Sequence, residues 1–270
     1  MAQTISQSVK RPSRPGLLLV AVLALCAYAT AAAGAVQSAR LDARLTPERL
    51  GAATTVSLGF RIAANGRVPS PLSAMQLDYP ANLGLATSGL GLASCSPSEL
   101  ELLGDEACPP DSRMGSGSAV VEIPIGPEIV SENVKLEVFA APSPDGHLHV
   151  VASADGSAPV VAHVVLSGVL LAGRLSIVVP PIPSLPEAPY VAVTQMRLTL
   201  GGNLTYYERK GGRTVAYRPP GVGLPGRCPH GGFAFAASFQ FVDGSDASAG
   251  TAVPCPPGGR RLAPARSVKP

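Results

Sequence analysis

Tryptophan is absent from this chain, and aromatic residues of all kinds make up only 4% of it. Base-stacking surfaces and sugar-binding clefts are ordinarily floored by such rings, so neither class is favoured. Charged residues are also sparse, at 14%. Histidine occurs four times, which limits any imidazole-based site to a few positions. No phosphate loop, no redox C-x-x-C and no dinucleotide fingerprint in a strand-to-helix setting is present. No cofactor is therefore expected.

What the chain has instead begins at its N-terminus. Residues 1–15 carry Lys10, Arg11 and Arg14 and no acid, and an apolar run from Gly16 to Ala29 follows. Small residues then form A-x-A patterns ending at Ala31, Ala33 and Ala35. A basic start, an apolar stretch and a small-residue cleavage zone form the secretory pattern, with cleavage expected after Ala33 or Ala35. Two other fates are open to the segment. Extended to Val36, the run reaches about 20 residues, enough to span a bilayer as an uncleaved anchor. Acylation at Cys26 would make a lipoprotein, although Leu25 stands where a lipobox wants a small residue.

The segment also accounts for the chain's apparent basicity. Taking its three basic residues from the total of 21 leaves 18 Lys and Arg against 18 acids. Arg260, Arg261, Arg266 and Lys269 occupy an acid-free tail, so residues 36–259 hold 14 bases against 18 acids. That body has no nucleic-acid footprint.

Four cysteines follow the export segment: Cys95, Cys108, Cys228 and Cys255. An even count in an exported chain reads as disulfides. Three connectivities are possible, and proximity favours Cys95–Cys108 and Cys228–Cys255. Zinc is disfavoured because the C-x-x-C spacing is missing.

Glycine and proline total 57 of the 270 residues, which implies many turns between short strands. Period-two alternation marks those strands. Val56, Leu58, Phe60 and Ile62 share one face of 54–62. Residues 73–79 and 118–123 are shorter candidates, with Gly115-Ser116-Gly117-Ser118 as a flexible lead-in to the second. Residues 134–141, 147–153 and 159–167 read as a three-strand meander turning at Pro142–Gly146 and Asp155-Gly156. Strands resume at 190–200, 203–209 and 214–217. In 233–241, Phe233, Phe235, Ala237, Phe239 and Phe241 share one face, placing four of the six phenylalanines at a core centre. One helix is expected: Ser96-Pro97-Ser98-Glu99 is a capping box with proline at the first helical position, and Gly104 stops it. Closing the Cys95–Cys108 loop around it is worth roughly 3 kcal/mol.

The sharpest chemical constellation is His147, His149 and His163. Side chains two apart share a strand face. A turn centred on Gly156 would set His163 opposite His149, with Glu137 on the same face, an arrangement suited to Zn²⁺ or Cu²⁺. The plainer reading is polar residues on a solvated face, and a one-residue slip scatters the set. Tyr206, Tyr207, Glu208, Arg209 and Tyr217 form the chief aromatic-polar cluster, either a ligand patch or ordinary cross-strand packing. Ser116 and Ser118 lack the context of a nucleophile elbow. Glu122, Glu128, Glu132 and Glu208 are carboxylates without an evident pairing for glycoside hydrolysis. Asp243 and Asp246 fit a turn better than a Ca²⁺ site, and Asn203-Leu204-Thr205 is a glycosylation sequon relevant only to a eukaryotic pathway.

Several segments resemble a group of exported proteins of high-GC Gram-positive bacteria that has no established activity. They are Leu45-Thr46-Pro47-Glu48-Arg49-Leu50-Gly51, Ser112-Arg113-Met114-Gly115, Leu204-Thr205-Tyr206-Tyr207-Glu208-Arg209, and Arg227-Cys228-Pro229-His230-Gly231-Gly232-Phe233. The resemblance spans most of 41–256. It implies bacterial export and a shared cysteine framework, and it carries no catalytic residues across.

The expected architecture is all-β: an antiparallel sandwich with one short helix, built either as two Ig-like halves meeting near 180–190 or as one larger jelly-roll-like unit. Residues 1–35 are the signal peptide, 36–180 a sandwich domain or half, 181–189 a Pro-rich connection, 190–256 a β-rich half, and 257–270 a disordered basic tail. The expected function is a non-enzymatic extracellular or cell-envelope structural or binding module, secreted or held in the envelope. Its partner would be an extracellular or cell-wall ligand, with no nucleic acid, and with membrane contact only through an uncleaved N-terminus. The alternative is a secreted hydrolase or metal-dependent enzyme.

Overall fold

A computed structural model describes residues 36–85, 90–183, 190–202, 205–218 and 221–257. Residues 1–35, expected to be the signal peptide, the tail beyond residue 257, residues 184–189 of the Pro-rich stretch and Asn203-Leu204 of the sequon lie outside the described residues. The described residues belong to one compact unit that contains every strand named below and both disulfides.

Alternating inward apolar and outward polar residues generate the strands. In β1 (Gln37–Thr46), Leu41 and Leu45 are buried while Arg40, Asp42 and Arg44 face solvent. β2 (Ala53–Ala64) buries Val56, Leu58, Phe60 and Ile62, as its alternation requires. β3 (Leu72–Asp78), β4 (Arg113–Ile125), β5 (Glu128–Ala141), β6 (Leu148–Gly156), β7 (Ala162–Leu171), β8 (Arg174–Val178) and β9 (Ala192–Leu200) follow. A separate hairpin pairs β10 (Tyr206–Lys210) with β11 (Arg213–Tyr217), and β12 (Val222–Gly223) adds a short pairing to β2. β13 (Phe233–Phe241) and β14 (Asp246–Val253) complete the chain. β13 buries all five residues of its phenylalanine face.

The main sheet runs unbroken in the order β1-β2-β9-β4-β5-β6-β7-β8-β3-β13-β14, every neighbouring pair antiparallel. Its first and last strands lie against each other. Gln37 pins that seam: its amide donates to Ser245 Oγ at 2.7 Å and its carbonyl accepts from the Ser70 N–H at 3.1 Å. The all-β antiparallel expectation therefore holds, but the hydrogen-bond order gives one sheet rolled into a nearly closed barrel where a two-sheet sandwich was expected. Alternation specifies an apolar and a polar face for each strand; it does not say whether the apolar faces meet across two sheets or around one. The segments on either side of the Pro-rich stretch share this sheet, with β9 inserted between β2 and β4.

The roll needs corners. β4 passes so close to β9 that a Cβ on Gly117 would stand 2.1 Å from the Arg197 carbonyl oxygen, and one on Gly115 2.2 Å from that of Thr199. Glycine inside a strand marks such close backbone approach. The expected flexible lead-in at 115–118 is in fact strand, fixed between β5 and β9.

Helix α1 (Pro97–Leu103) packs outside the barrel wall. Leu100, fully buried, meets Phe139, Ala141 and Val151 on the outward faces of β5 and β6, together with the Cys95–Cys108 disulfide. Burying that leucine contributes about 2 kcal/mol, and Leu100→Ala is the single change that would unseat the helix. Pro97 opens it and Gly104 ends it, the Gly104 N–H donating to the Leu100 carbonyl at 2.9 Å. The capping box does not form: Ser96 Oγ pairs with Ser98 Oγ at 2.8 Å and makes no bond to the helix N–H groups.

Candidate functional site

The inward faces of the strands do not fill the barrel. Two adjoining cavities, of about 110 and 130 Å³, occupy its interior. Phe60, Met75, Leu136, Leu166, Ile177 and Met196 line both and so form the neck between them. The first continues toward Leu83, Leu85 and Met114, the second toward Val121, Ile123, Val160 and Val191. Met75, Met114 and Met196 are three of the four methionines in the chain, the fourth being Met1. Their unbranched thioethers can re-pack around guests of different shape.

Leaving this space has a cost. At roughly 24 cal/mol per Å³, 240 Å³ of unfilled volume forfeits about 6 kcal/mol, comparable with the whole net stability of a small domain. A core shaped by stability alone would close around it. A dry cavity of about 150 Å³ is enough to hold a benzene-sized molecule.

Two ionisable side chains touch this interior, and backbone groups engage both. Glu132, 3% exposed, accepts backbone N–H bonds from Ser157 at 2.6 Å, Ala158 at 3.0 Å and Val160 at 3.3 Å. This carboxylate pins the β6–β7 loop across the end of the second cavity. The Tyr79 hydroxyl donates to the Leu171 carbonyl at 2.8 Å beside the first, and burial pushes its pKa upward. The remaining side chains that line the two cavities are almost all apolar, a lining that matches an apolar guest.

The histidines are dispersed. β6 continues through Asp155-Gly156, and the turn is centred near Pro159, three residues later than expected. His149 consequently lies opposite Val169, and His163 opposite Asp155. Among the described residues no group of three potential ligands could hold a metal, so the His147, His149 and His163 set is not assembled. His149 Nε2 meets Asp145 Oδ1 at 2.8 Å on the surface. The Asp145 carboxyl is held below its ordinary value by the backbone N–H of His147 first and by His149 second.

His163 instead ties α1 to the wall. Its Nε2–H donates to the Leu100 carbonyl at 3.0 Å, and its Nδ1 bonds the Asp155 carboxylate. Beside it, Ser153 Oγ donates to Asp105, whose other oxygen meets Lys135 Nζ at 3.1 Å. Lys135 also meets Glu137 at 3.3 Å, and Arg113 stands 3.7 Å from Glu137 and over the Phe139 ring. Glu137 thus faces the outer wall, in an ion-pair cluster around the α1 excursion. Among the described residues no serine hydroxyl bonds a histidine ring, so no nucleophile–base pair is formed.

Both disulfides join the expected partners, Cys95–Cys108 beside α1 and Cys228–Cys255 across the open end of the β13–β14 hairpin. The tyrosine cluster lies on the β10–β11 hairpin, where Tyr206 and Tyr217 are register partners and Tyr207 and Arg209 are exposed. The side chains of Tyr206, Glu208 and Tyr217 lie outside the described residues.

Two features escaped the sequence reading. One is the lumen itself; three interior methionines were its faint signal. The other is an outer face on β1, β2 and β9 carrying exposed Arg40, Arg44, Arg61 and Arg197 around a groove above Gly59. The alternation in Ser38-Ala39-Arg40-Leu41-Asp42-Ala43-Arg44-Leu45 was its signal.

The chain matches no protein-family model, no curated protein and no solved structure.

Proposed function

We propose that the protein is an exported, disulfide-stabilised binding module whose barrel interior takes up an elongated apolar molecule of the acyl-chain type. The observation that carries this reading is the pair of adjoining apolar cavities, joined by a neck of six apolar side chains, whose two ionisable neighbours, Tyr79 and Glu132, are both engaged by backbone groups. Two further features support it. The outer wall of β1, β2 and β9 is charged and solvent-facing, the reverse of a membrane-spanning barrel. Two disulfides fit an oxidising compartment, in agreement with an export segment at 1–35 and a secreted or envelope location.

The test uses a fluorescent fatty acid and the variant Ala154→Leu. Ala154 lines the second cavity, and leucine adds three carbons there. Filled without strain, they contribute up to about 2 kcal/mol at ~0.8 kcal/mol per carbon. The variant should melt no lower than the parent and bind the probe at least about tenfold more weakly. A parent chain that takes up no probe, or a folded variant that binds it as tightly as the parent, would refute the reading.

A further inference from the structure

Antiparallel alternation gathers the starts of β1, β3, β5, β7, β9 and β14 at one end of the barrel, with the ends of β2, β4, β6, β8 and β13. Six large apolar side chains stand in solvent at that end, between 41 and 85% exposed: Val36, Ile129, Val161, Val178, Tyr190 and Val242. Each comes from a different strand terminus. In sheet order those strands are β1, β9, β5, β7, β8 and β13, so the residues encircle the mouth. Of the other exposed large apolar side chains among the described residues, Leu102 and Leu103 belong to α1 and Tyr207 and Val215 to the β10–β11 hairpin, while Leu92 and Leu171 stand singly.

Single exposed apolar residues are ordinary, but a ring of six around one opening is an interaction surface. This ring is continuous with the lumen. Val160, Val179 and Val191 line the second cavity, while their chain neighbours Val161, Val178 and Tyr190 face solvent. Apolar surface therefore runs from cavity to rim at three places.

Two observations identify what the ring meets. In sequence the apolar run of residues 16–36 runs straight into β1, and Val36 is itself a rim residue, so an export segment held in a bilayer tethers the chain at the strand end that this rim surrounds. Among the described residues the charged side chains of the rim loops are Glu128, Asp243, Asp246 and Arg67, an acidic set that gives no attraction to anionic surfaces. Contact there is hydrophobic insertion.

We infer that this rim seats on the surface of a lipid bilayer and that the apolar ligand passes between bilayer and lumen through it. This inference rests on the lumen being a binding site. The test is co-sedimentation of residues 35–270, the unit holding every strand and both disulfides, with phosphatidylcholine vesicles. The parent should bind, with little change in about 0.5 M salt. The double variant Val161→Asp/Val178→Asp should lose at least about tenfold in bound fraction at an unchanged melting temperature. Val215→Asp on the hairpin should bind as the parent does.

Several outcomes would overturn the inference: no binding of the parent to phosphatidylcholine, equal binding by the rim variant, or binding confined to anionic vesicles and abolished by salt. A solution dimer that the rim variant dissociates would assign the ring to a second copy of the chain and overturn it equally. Uptake of the fatty-acid probe without vesicles reads the lumen alone. Failure there removes the lumen reading; normal uptake with no vesicle binding removes only the rim.

Discussion

Replacing His163 by glutamine separates a charged clamp from a neutral one. Both ring nitrogens meet acceptors, the Leu100 carbonyl on α1 and the Asp155 carboxylate on β6. A neutral imidazole has one N–H and can serve only one of them, whereas the imidazolium serves both. The groups facing the ring are Asp155 and, nearby, Asp105, itself paired with Lys135. The bond to Asp155 is the largest influence raising the His163 pKa above its ordinary 6.5; burial opposes it, and the Leu100 carbonyl and the Asp105 charge add to it. A pKa raised by folding means that the contribution is fully present below the unfolded value and is lost as pH rises through the folded one. One charge-assisted and one ordinary hydrogen bond on a half-buried ring amount to about 1–2 kcal/mol. His163→Gln should therefore destabilise by about that much at pH 5 and by no more than about 0.5 kcal/mol at pH 9, where the parent has already lost one bond. Urea unfolding of both chains at both pH values, disulfides intact, measures it. An equal difference at the two pH values, or a larger one at pH 9, would refute the reasoning.

Glu132→Gln turns an NH₂ group toward N–H donors that now share one carboxylate, and should cost roughly 2–4 kcal/mol in denaturant unfolding. The amides of Ser157, Ala158 and Val160 should exchange faster with solvent; a loss below about 1 kcal/mol would show that the loop is held by other means. Arg61 lies directly across from Arg40, a like-charge pair that disfavours the pairing of β1 with β2. Arg61→Glu should raise the melting temperature at low ionic strength and lose that gain in about 1 M salt; a gain that persists in salt would exclude an electrostatic origin.

Legibility in the sequence tracks the size of the inward side chains. β13, with phenylalanines at four inward positions, was placed to the residue, and the β5–β7 meander was found with β5 begun too late, β6 ended too soon and β7 set too early in the chain at both ends. β14 turns Ala247, Ala249 and Val253 inward, between residues hardly more polar, and its alternation is nearly silent. The β6–β7 register failed because Asp155-Gly156 has turn chemistry yet is held in strand by β7, while Glu132, more than twenty residues earlier, fixes the true turn. Cysteine proximity gave the disulfides, since each closes a local loop. The lumen was not legible because unfilled volume belongs to no residue; it arises from how far apart the walls of a rolled sheet stand. The apolar rim was hidden for a related reason, its six members being scattered from Val36 to Val242 and brought together only by strand direction.

The seam between β1 and β14 has a kinetic meaning. Gln37 and Ser245 are 208 residues apart in sequence, so the bond across the seam joins the first strand to the turn that leads into the last. Contacts of such separation form late, because the entropy of closing the intervening chain must be met first. A chain that emerges N-terminus first can pair β1 with β2 early, but it cannot bring its two edges together until its final strand has appeared. Until then both sheet edges are open templates for other chains. Bringing the two edges together thus acts as a completeness check: it sets each edge against the other at once, and only in a molecule whose last strand is in place.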